Sequence, residues 1–557
     1  MSKLGEILVQ KGLITEQQFN QALAESKKSG EILGKTLIRL NLITEEELLK
    51  ALSEQLALTF YPSLKDVSIE PEVISAVPAK FVWYYKFVPL KLRGKILTIA
   101  VSDPLAVWAM EDLKLHLGFH VERVLATEKE IIDSIQRYYG VGAETVQEIL
   151  TQDKAKVQET QAQASEEIED LEKSVQAASV IKLVNQILTE AISVRATDIH
   201  IEPYRNKVRL RHRIDGILYD MKVPEEIKYL HKAIVARIKI ISNLNVVEKR
   251  LPQDGRSIVK IGDRQVDLRI SIIPTAYGEN VVIRILPVHL LYNLRDLGLL
   301  EDEMKIIEGL IDKPHGIILL TGPTGSGKTT TLYTCLSKLN KNAVKIITIE
   351  DPVEYELDGI MQFQVKPEIG LSFATALRSI LRHDPDIMMV GEIRDLETAE
   401  LAIRTALTGH LIFSTLHTND AASGATRLLD IGIEPYLVAS SVNAFISQRL
   451  VRMVCPACKE QLQEKKPLPK ALEGIKLFYG KGCQECNSIG YKGRTAIYEM
   501  LVINDDIQEL ILKRASATQI KKKAKEFGFR TLWESGLQKI KLGLTTYEEV
   551  LRVTEVE

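Results

Sequence analysis

The sequence predicts an α/β protein. A phosphate-loop nucleotide-binding domain is preceded by a smaller α/β domain and, at the N-terminus, by a mainly helical α/β domain. Three observations carry that expectation. Gly322-Pro-Thr-Gly-Ser-Gly-Lys328-Thr329 stands between the apolar run 317–320 and the helix-favouring stretch 330–336. This is the strand–turn–helix setting that a phosphate loop requires. From about Leu294, strand-like runs at 317–320, 344–349, 387–390 and 411–415 alternate with helical patterns, as in a parallel sheet. The first 60 residues hold an internal repeat: Leu4-Gly5, Leu8, Leu13-Ile14-Thr15-Glu16 and Ala22-Leu23 recur as Leu33-Gly34, Leu37, Leu42-Ile43-Thr44-Glu45 and Ala51-Leu52.

Each repeat unit reads as a short helix, a turn, and a second helix capped by Thr15 or Thr44 with acids in its first turn. A small α/β module completes the first domain (1–140), with strands at 87–90 and 96–101 and a helical stretch running to Tyr139. Between Ala143 and Gln176 there is no Gly, Pro or aromatic residue, and the aliphatics are too sparse for a core, which predicts a flexible or loosely helical linker over 141–177. The next domain, 178–292, is expected to open with a helix from Ile181 to Val194 and to hold strands at 198–202, 207–213, 265–270 and 280–285. The nucleotide-binding domain fills 293–557, with a cysteine-bearing insertion at 453–500 and a mostly helical tail.

Composition bounds the partners. The 557 residues carry a net charge of −2 and are 45% hydrophobic. Arg209, Arg211 and Arg213 cluster, but there is no chain-wide basic field, so no nucleic-acid partner is expected. The N-terminus lacks the order of a signal peptide, and no apolar run approaches the ~18 residues that cross a bilayer. A cytoplasmic protein is expected. Four of the five cysteines form two C-x-x-C pairs, Cys455/Cys458 and Cys483/Cys486. That spacing puts both thiolates of a pair on one ion and predicts a closed, structural zinc site.

In the loop, glycines let backbone N–H groups curl around phosphate, and the helix N-terminus adds partial positive charge. Gly322, Pro323, Thr324, Gly325, Ser326, Gly327, Lys328, Thr329 and Thr330 are the expected binding residues for ATP, with Lys328 on the β/γ oxygens and the Thr329 hydroxyl on Mg²⁺. Acids and histidines follow the later strands, where ligand chemistry in open α/β sheets concentrates. Glu392, ending an apolar strand, is the expected base that positions water. Glu350, Asp351 and Glu354 are expected to tune Mg²⁺ or hold arginines, and His417 to sense the γ-phosphate.

These segments resemble the secretion ATPases of the GspE/PilB type, which drive type II secretion and type IV pilus assembly. The resemblance rests on the phosphate loop, Ile349 to Tyr355, Asp384 to Glu400, Thr408 to Asn419, Ala196 to Glu202 and Lys249 to Arg256, and runs from about 179 to 500. It implies a homo-hexamer of RecA-like domains, each preceded by an α/β (PAS-like) domain that lends arginines to the nucleotide. Arg269 and Arg284 match those arginines in position, and Arg378, Arg382, Arg394 and Arg427 are further interface candidates. It also implies an inner-membrane platform protein and its cytoplasmic adaptor as partners, with peripheral attachment to that membrane. Thr408 to Leu411 and Ala439 to Val442 lean toward the type II secretion branch, and the tetracysteine insertion speaks against a retraction motor. The N-terminal repeat resembles the MshE N-terminal domain, whose units bind cyclic di-GMP. Here Lys3 and Ile32 replace the usual arginine, and the closing positions are Ser26 and Gln55. Two alternatives follow from the same residues: a nucleotide-gated cyclic di-GMP receptor with vestigial turnover, and a DNA translocase.

Overall fold

The structure, a computed structural model, describes residues 3–29, 33–65, 67–104, 114, 118–140, 145, 166–261, 264–286, 293–462 and 472–554. They fall into two compact units, Met1–Ile285 and Leu286–Glu557.

The first unit opens with α1 (Lys3–Gln10), α2 (Glu16–Ser29), α3 (Leu33–Arg39) and α4 (Glu45–Leu56). Their core is built in pairs that follow the repeat: Leu8 with Leu37, Ile14 with Ile43, Phe19 with Leu48 and Ala22 with Ala51, all buried. Gly5 and Gly34 occur in register because a Cβ at either would stand 2.5 Å from the Phe19 ring or 3.0 Å from Leu48. Both expected caps form. Thr15 N–H donates to Gln18 at 2.8 Å and Gln18 N–H returns to the Thr15 hydroxyl at 3.2 Å; Thr44 and Glu47 repeat the exchange at 2.8 and 3.2 Å.

Next come α5 (Pro71–Ala76), α6 (Ala79–Tyr85), β1 (Phe87–Arg93), β2 (Ile96–Val101), β3 (His120–Leu125) and α7 (Glu128–Tyr139). β1 and β2 are antiparallel, and β3 adds parallel to β2. β3 corrects the sequence reading, which ran helix through to Tyr139. Its residues are mostly exposed or half-buried, so it carries little apolar signal. α8 (Glu166–Ser193) begins well before the expected Ile181. Glu, Gln, Lys and Ala are good helix formers and nothing here breaks a helix, so the end of the expected linker is helical. The rest of that linker, apart from Thr145, lies outside the described residues.

β4 (Ala196–Pro203), β5 (Val208–Ile214), β6 (Ile217–Met221), α9 (Ile227–Ile241), β7 (Gln253–Ile261), β8 (Arg264–Thr275) and β9 (Gly278–Leu286) complete this unit. The six strands are ordered β6-β5-β4-β9-β8-β7, so the first and last strands in sequence lie side by side. Alternation buries Ile199, Ile201, Leu210, Leu268, Ile270, Val281 and Ile283. Arginines and acids occupy the alternate positions. β6 and β7 were not read from the sequence because both are mostly exposed or half-buried edge strands.

The second unit contains α10 (Glu301–Ile311), β10 (Gly316–Thr321), α11 (Lys328–Leu339), β11 (Ile346–Glu350), β12 (Met361–Gln364), α12 (Phe373–Ile380), β13 (Ile387–Val390), α13 (Leu396–Leu407), β14 (Leu411–Leu416), α14 (Ala422–Ile431), α15 (Pro435–Ser441) and β15 (Val442–Val454). A two-stranded ribbon, β16 (Lys459–Gln461) and β17 (Phe478–Gly480), precedes β18 (Tyr491–Val502). Four helices close the chain: α16 (Asp505–Leu512), α17 (Ala517–Lys525), α18 (Leu532–Lys541) and α19 (Tyr547–Val553). The seven-stranded sheet is ordered β12-β11-β13-β14-β10-β15-β18; β18 runs antiparallel to β15 and the other pairings are parallel. β10, β11, β13 and β14 are buried at every position, which gives continuous apolar runs rather than alternation. One apolar layer lies on each sheet face.

Candidate active site and candidate metal centre

The phosphate loop leaves the buried end of β10 and enters α11 at Lys328. Its glycines are set by what lies behind them. Gly322 (φ 141°) faces the Gln448 carbonyl, which a Cβ would meet at 2.7 Å, and Gly327 (φ 89°) faces Gln448 Nε2 at 2.8 Å. β15 therefore backs the loop, and side chains at these positions would push loop and strand apart. Lys328 Nζ donates to the carbonyls of Gly322 at 2.7 Å and Pro323 at 3.1 Å. Burial lowers the Lys328 pKa, the nearby Arg449 guanidinium lowers it further, and Glu392 opposes both. Ser326 Oγ is buried and has no hydrogen-bond partner. An orphaned donor in a glycine-walled turn at a helix N-terminus fits a phosphate group. Thr329 and Thr330 stand in the first turn of α11.

The acids divide. Glu392, just beyond β13, pairs with Arg394 and lies 3.2 Å from His417 Nε2. Burial pushes its carboxyl up, but the Arg394 and His417 interactions outweigh it and hold Glu392 below its usual range. Asp351 lies 4.0 Å from Arg394, so one guanidinium serves both carboxylates. Glu350, read from the sequence as tuning Mg²⁺ or holding arginines, has no arginine partner among the described residues. It is 3% exposed and accepts from Tyr333, from Thr348 at 2.6 Å and from Gln362 at 3.0 Å. Burial drives its pKa upward. The Glu354 backbone N–H donates to the Tyr333 hydroxyl at 3.4 Å. His417, read as a γ-phosphate sensor, has Glu392 as its partner.

Arg269 and Arg284 belong to the first unit. Arg284 Nε donates to Asp198 at 3.0 Å, and Arg269 stands opposite Arg256 in the β7–β8 ladder. Arg378 pairs with Glu397, Arg382 donates to the Arg378 carbonyl at 2.9 Å, and Arg427 is exposed on α14. The sequence reading missed Arg449 of β15, whose guanidinium lies beside Gly322. In the N-terminal repeat, the Lys3 side chain and Ile32 lie outside the described residues, and Gln55 Oε1 is buried without a partner.

The four cysteines converge. Their Sγ atoms all lie within 4.8 Å of one another, and three pairs stand at 3.8 Å. A disulfide needs about 2.05 Å, whereas a tetrahedron of metal–sulfur bonds ~2.3 Å long has edges of ~3.8 Å. Backbone N–H groups of Gly482, Cys483 and Gly490 donate to the sulfurs at 3.1–3.3 Å, as thiolates require. The donor set fits one zinc ion with no open position.

The Type II/IV secretion system protein family matches residues 173–552, and the MshEN domain matches 56–145, beginning where the helical repeat ends. The chain is 43% identical to the type IV pilus assembly ATPase PilB of Myxococcus xanthus over 99% of its own length and 98% of that protein. It is 43% identical to type II secretion system protein E of Xanthomonas campestris over 87% of this chain and 86% of that one. For the type II secretion system ATPase E of Vibrio cholerae the identity is 46%, over 70% and 78%. The X-ray structure of the Legionella pneumophila ATPase DotB superposes with a TM-score of 0.50 at 20% identity, covering 66% of this chain and 94% of that one, which supports the phosphate-loop fold. The chain belongs to the Type II/IV secretion system protein family.

Proposed function

We propose that this chain is an ATP-hydrolysing motor that energises type II secretion or type IV pilus assembly. Names of relatives from both systems support the class, and one observation carries the chemistry: the phosphate loop follows β10 and Glu392 follows β13, both parallel to β14 between them, so loop and acid stand at the same end of the sheet. When bound, MgATP would supply the phosphoryl group with part of its charge already neutralised. Gly322 to Thr330 would hold the phosphates, the Thr329 hydroxyl would hold Mg²⁺, and Lys328 would turn from the loop carbonyls to the phosphate oxygens. Glu392 orients and deprotonates the attacking water, and His417 keeps that carboxylate aimed. Glu350 positions the site from beneath by locking Tyr333 of α11 to β11.

Replacing Glu392 by glutamine is expected to lower kcat ~10²–10⁴-fold while MgATP still binds; undiminished turnover would remove Glu392 from the mechanism. In the same reading the working form is a homo-hexamer in the cytoplasm, docked on an inner-membrane platform protein and its adaptor, with Arg269 and Arg284 lent to nucleotide. Turnover that rises with protein concentration tests the assembly. We also assign zinc to the four cysteines. Cyclic di-GMP is proposed as a ligand of the N-terminal domain on the resemblance of its repeat to MshE units, next to which the MshEN match covers 56–145; equilibrium binding of labelled cyclic di-GMP tests it.

A further inference from the structure

Two cations meet at Gly322. Lys328 Nζ reaches its carbonyl at 2.7 Å, and Arg449 Nη1 lies 3.0 Å from where a Cβ on Gly322 would stand. Arg449 comes from β15, the strand that backs the loop and holds α11 through Thr331, whose hydroxyl donates to Gln448 at 2.8 Å. Its guanidinium is fixed by two backbone carbonyls, its own strand neighbour Gln448 at 3.1 Å and Asn419 at 2.7 Å. No carboxylate among the described residues pairs with it, although Glu499 and Asp420 are near enough to act on its charge. A guanidinium carries five N–H donors, and two carbonyls leave most of its capacity unused.

A half-buried cation without a paired acid, set against a second cation, is unfavourable unless an anion joins them. Burial and like charge both act in that direction here: Arg449 is lowered by burial, and Lys328 by burial and by Arg449. The loop between them is shaped for phosphate. We propose that Arg449 is a phosphate-binding residue supplied by the same chain, closing the cradle from the β15 side and donating to an oxygen of the nucleotide diphosphate. The proposal rests on the nucleotide reading above and adds a cation to Lys328 that no loop motif contains. The same guanidinium holds the Asn419 carbonyl, two residues after His417, so the cradle and the Glu392–His417 pair share an anchor.

The test uses the full chain with Mg²⁺ and N-methylanthraniloyl-labelled ADP and AMP, read by fluorescence titration. Arg449→Gln is expected to weaken ADP binding ~10–100-fold, as loss of a charged hydrogen bond does, and AMP binding much less. Arg449→Lys keeps the charge without the two-carbonyl fork, so recovery of most of the ADP affinity supports a phosphate role. Wild-type ADP affinity in Arg449→Gln overturns the proposal. So does equal loss in both variants accompanied by equal loss of unfolding temperature, which marks a purely structural residue. Failure of the wild-type chain to bind labelled ADP sinks the nucleotide reading as well, and is thereby distinguished from failure of Arg449 alone.

Discussion

Glutamine at position 499 is predicted to change stability in a pH-dependent way. Glu499 of β18 is 2% exposed and accepts the backbone N–H of Ala421 at 2.8 Å and of Leu532 at 3.3 Å. These donors sit at the N-termini of α14 and α18, so the carboxylate ties two helices to the sheet. Burial nevertheless dominates and pushes the carboxyl up to about 7 from its ordinary 4.5; the Ala421 donor and Lys521 pull it back in part. At about 1.36 kcal/mol per pH unit, the ionised form carries a penalty of ~3 kcal/mol. Because the folded pKa lies above the unfolded one, stability is complete below about pH 4.5 and falls as pH climbs through about 7. Glutamine does not ionise, but its NH₂ faces one donor, at a cost of ~1 kcal/mol. The variant should therefore match wild type near about pH 5 and be about 2 kcal/mol more stable near about pH 8.5. Thermal unfolding of the zinc-loaded full chain at both values checks this. A variant that loses more stability at the higher pH would refute the reasoning, since the ionised carboxylate would then be the stabilising form.

Other perturbations test the active site and the metal centre. Arg394→Gln removes the cation that helps hold the Glu392 carboxyl down, so the acidic limb of the kcat/KM profile should move to higher pH; an unmoved limb would separate Arg394 from the base. Cys458→Ser should reduce bound zinc from one per chain and raise amide exchange at Val454, Cys455 and Gly490. Val454 N–H donates to Leu544 at 2.9 Å and Cys455 N–H to Gly490 at 3.0 Å, so losing the ion loosens the route to α19. Metal analysis and exchange mass spectrometry read both, with α2 of the N-terminal repeat as the segment expected to stay unchanged.

The parts of this molecule that were legible in sequence are those whose function forces residue type and spacing together. The phosphate loop, the strand at 387–390, the acid after it and the cysteine pairs all stand where they were read. The burial of Glu350 was not legible because it ends an apolar run, as a solvent-facing site acid does. One of its partners, Gln362, comes from β12, a four-residue strand, mostly exposed or half-buried, with no periodic signal. β15 was missed for a different reason. Its first half is buried on both faces and so does not alternate, while Ile446, Leu450 and Val454 also stand at helical spacing. Losing that strand hid Arg449 and the origin of both loop glycines. The N-terminal repeat was legible in pairs because each buried residue of one copy has its counterpart in the other.

β15 has a mechanical consequence. One continuous strand backs the phosphate loop at Gln448 and delivers Cys455 to the sulfur tetrahedron. The span is about 23 Å of extended chain, which has almost no stretch left to give, and β18 pairs with it as far as Val454, with one register shift between Arg452 and Val454. A displacement of the loop would therefore be carried toward the cysteine cluster along one strand, with the shift at Arg452–Val454 as the place where it could be absorbed. The four-cysteine cluster stands at the far end of the strand that backs the phosphate loop.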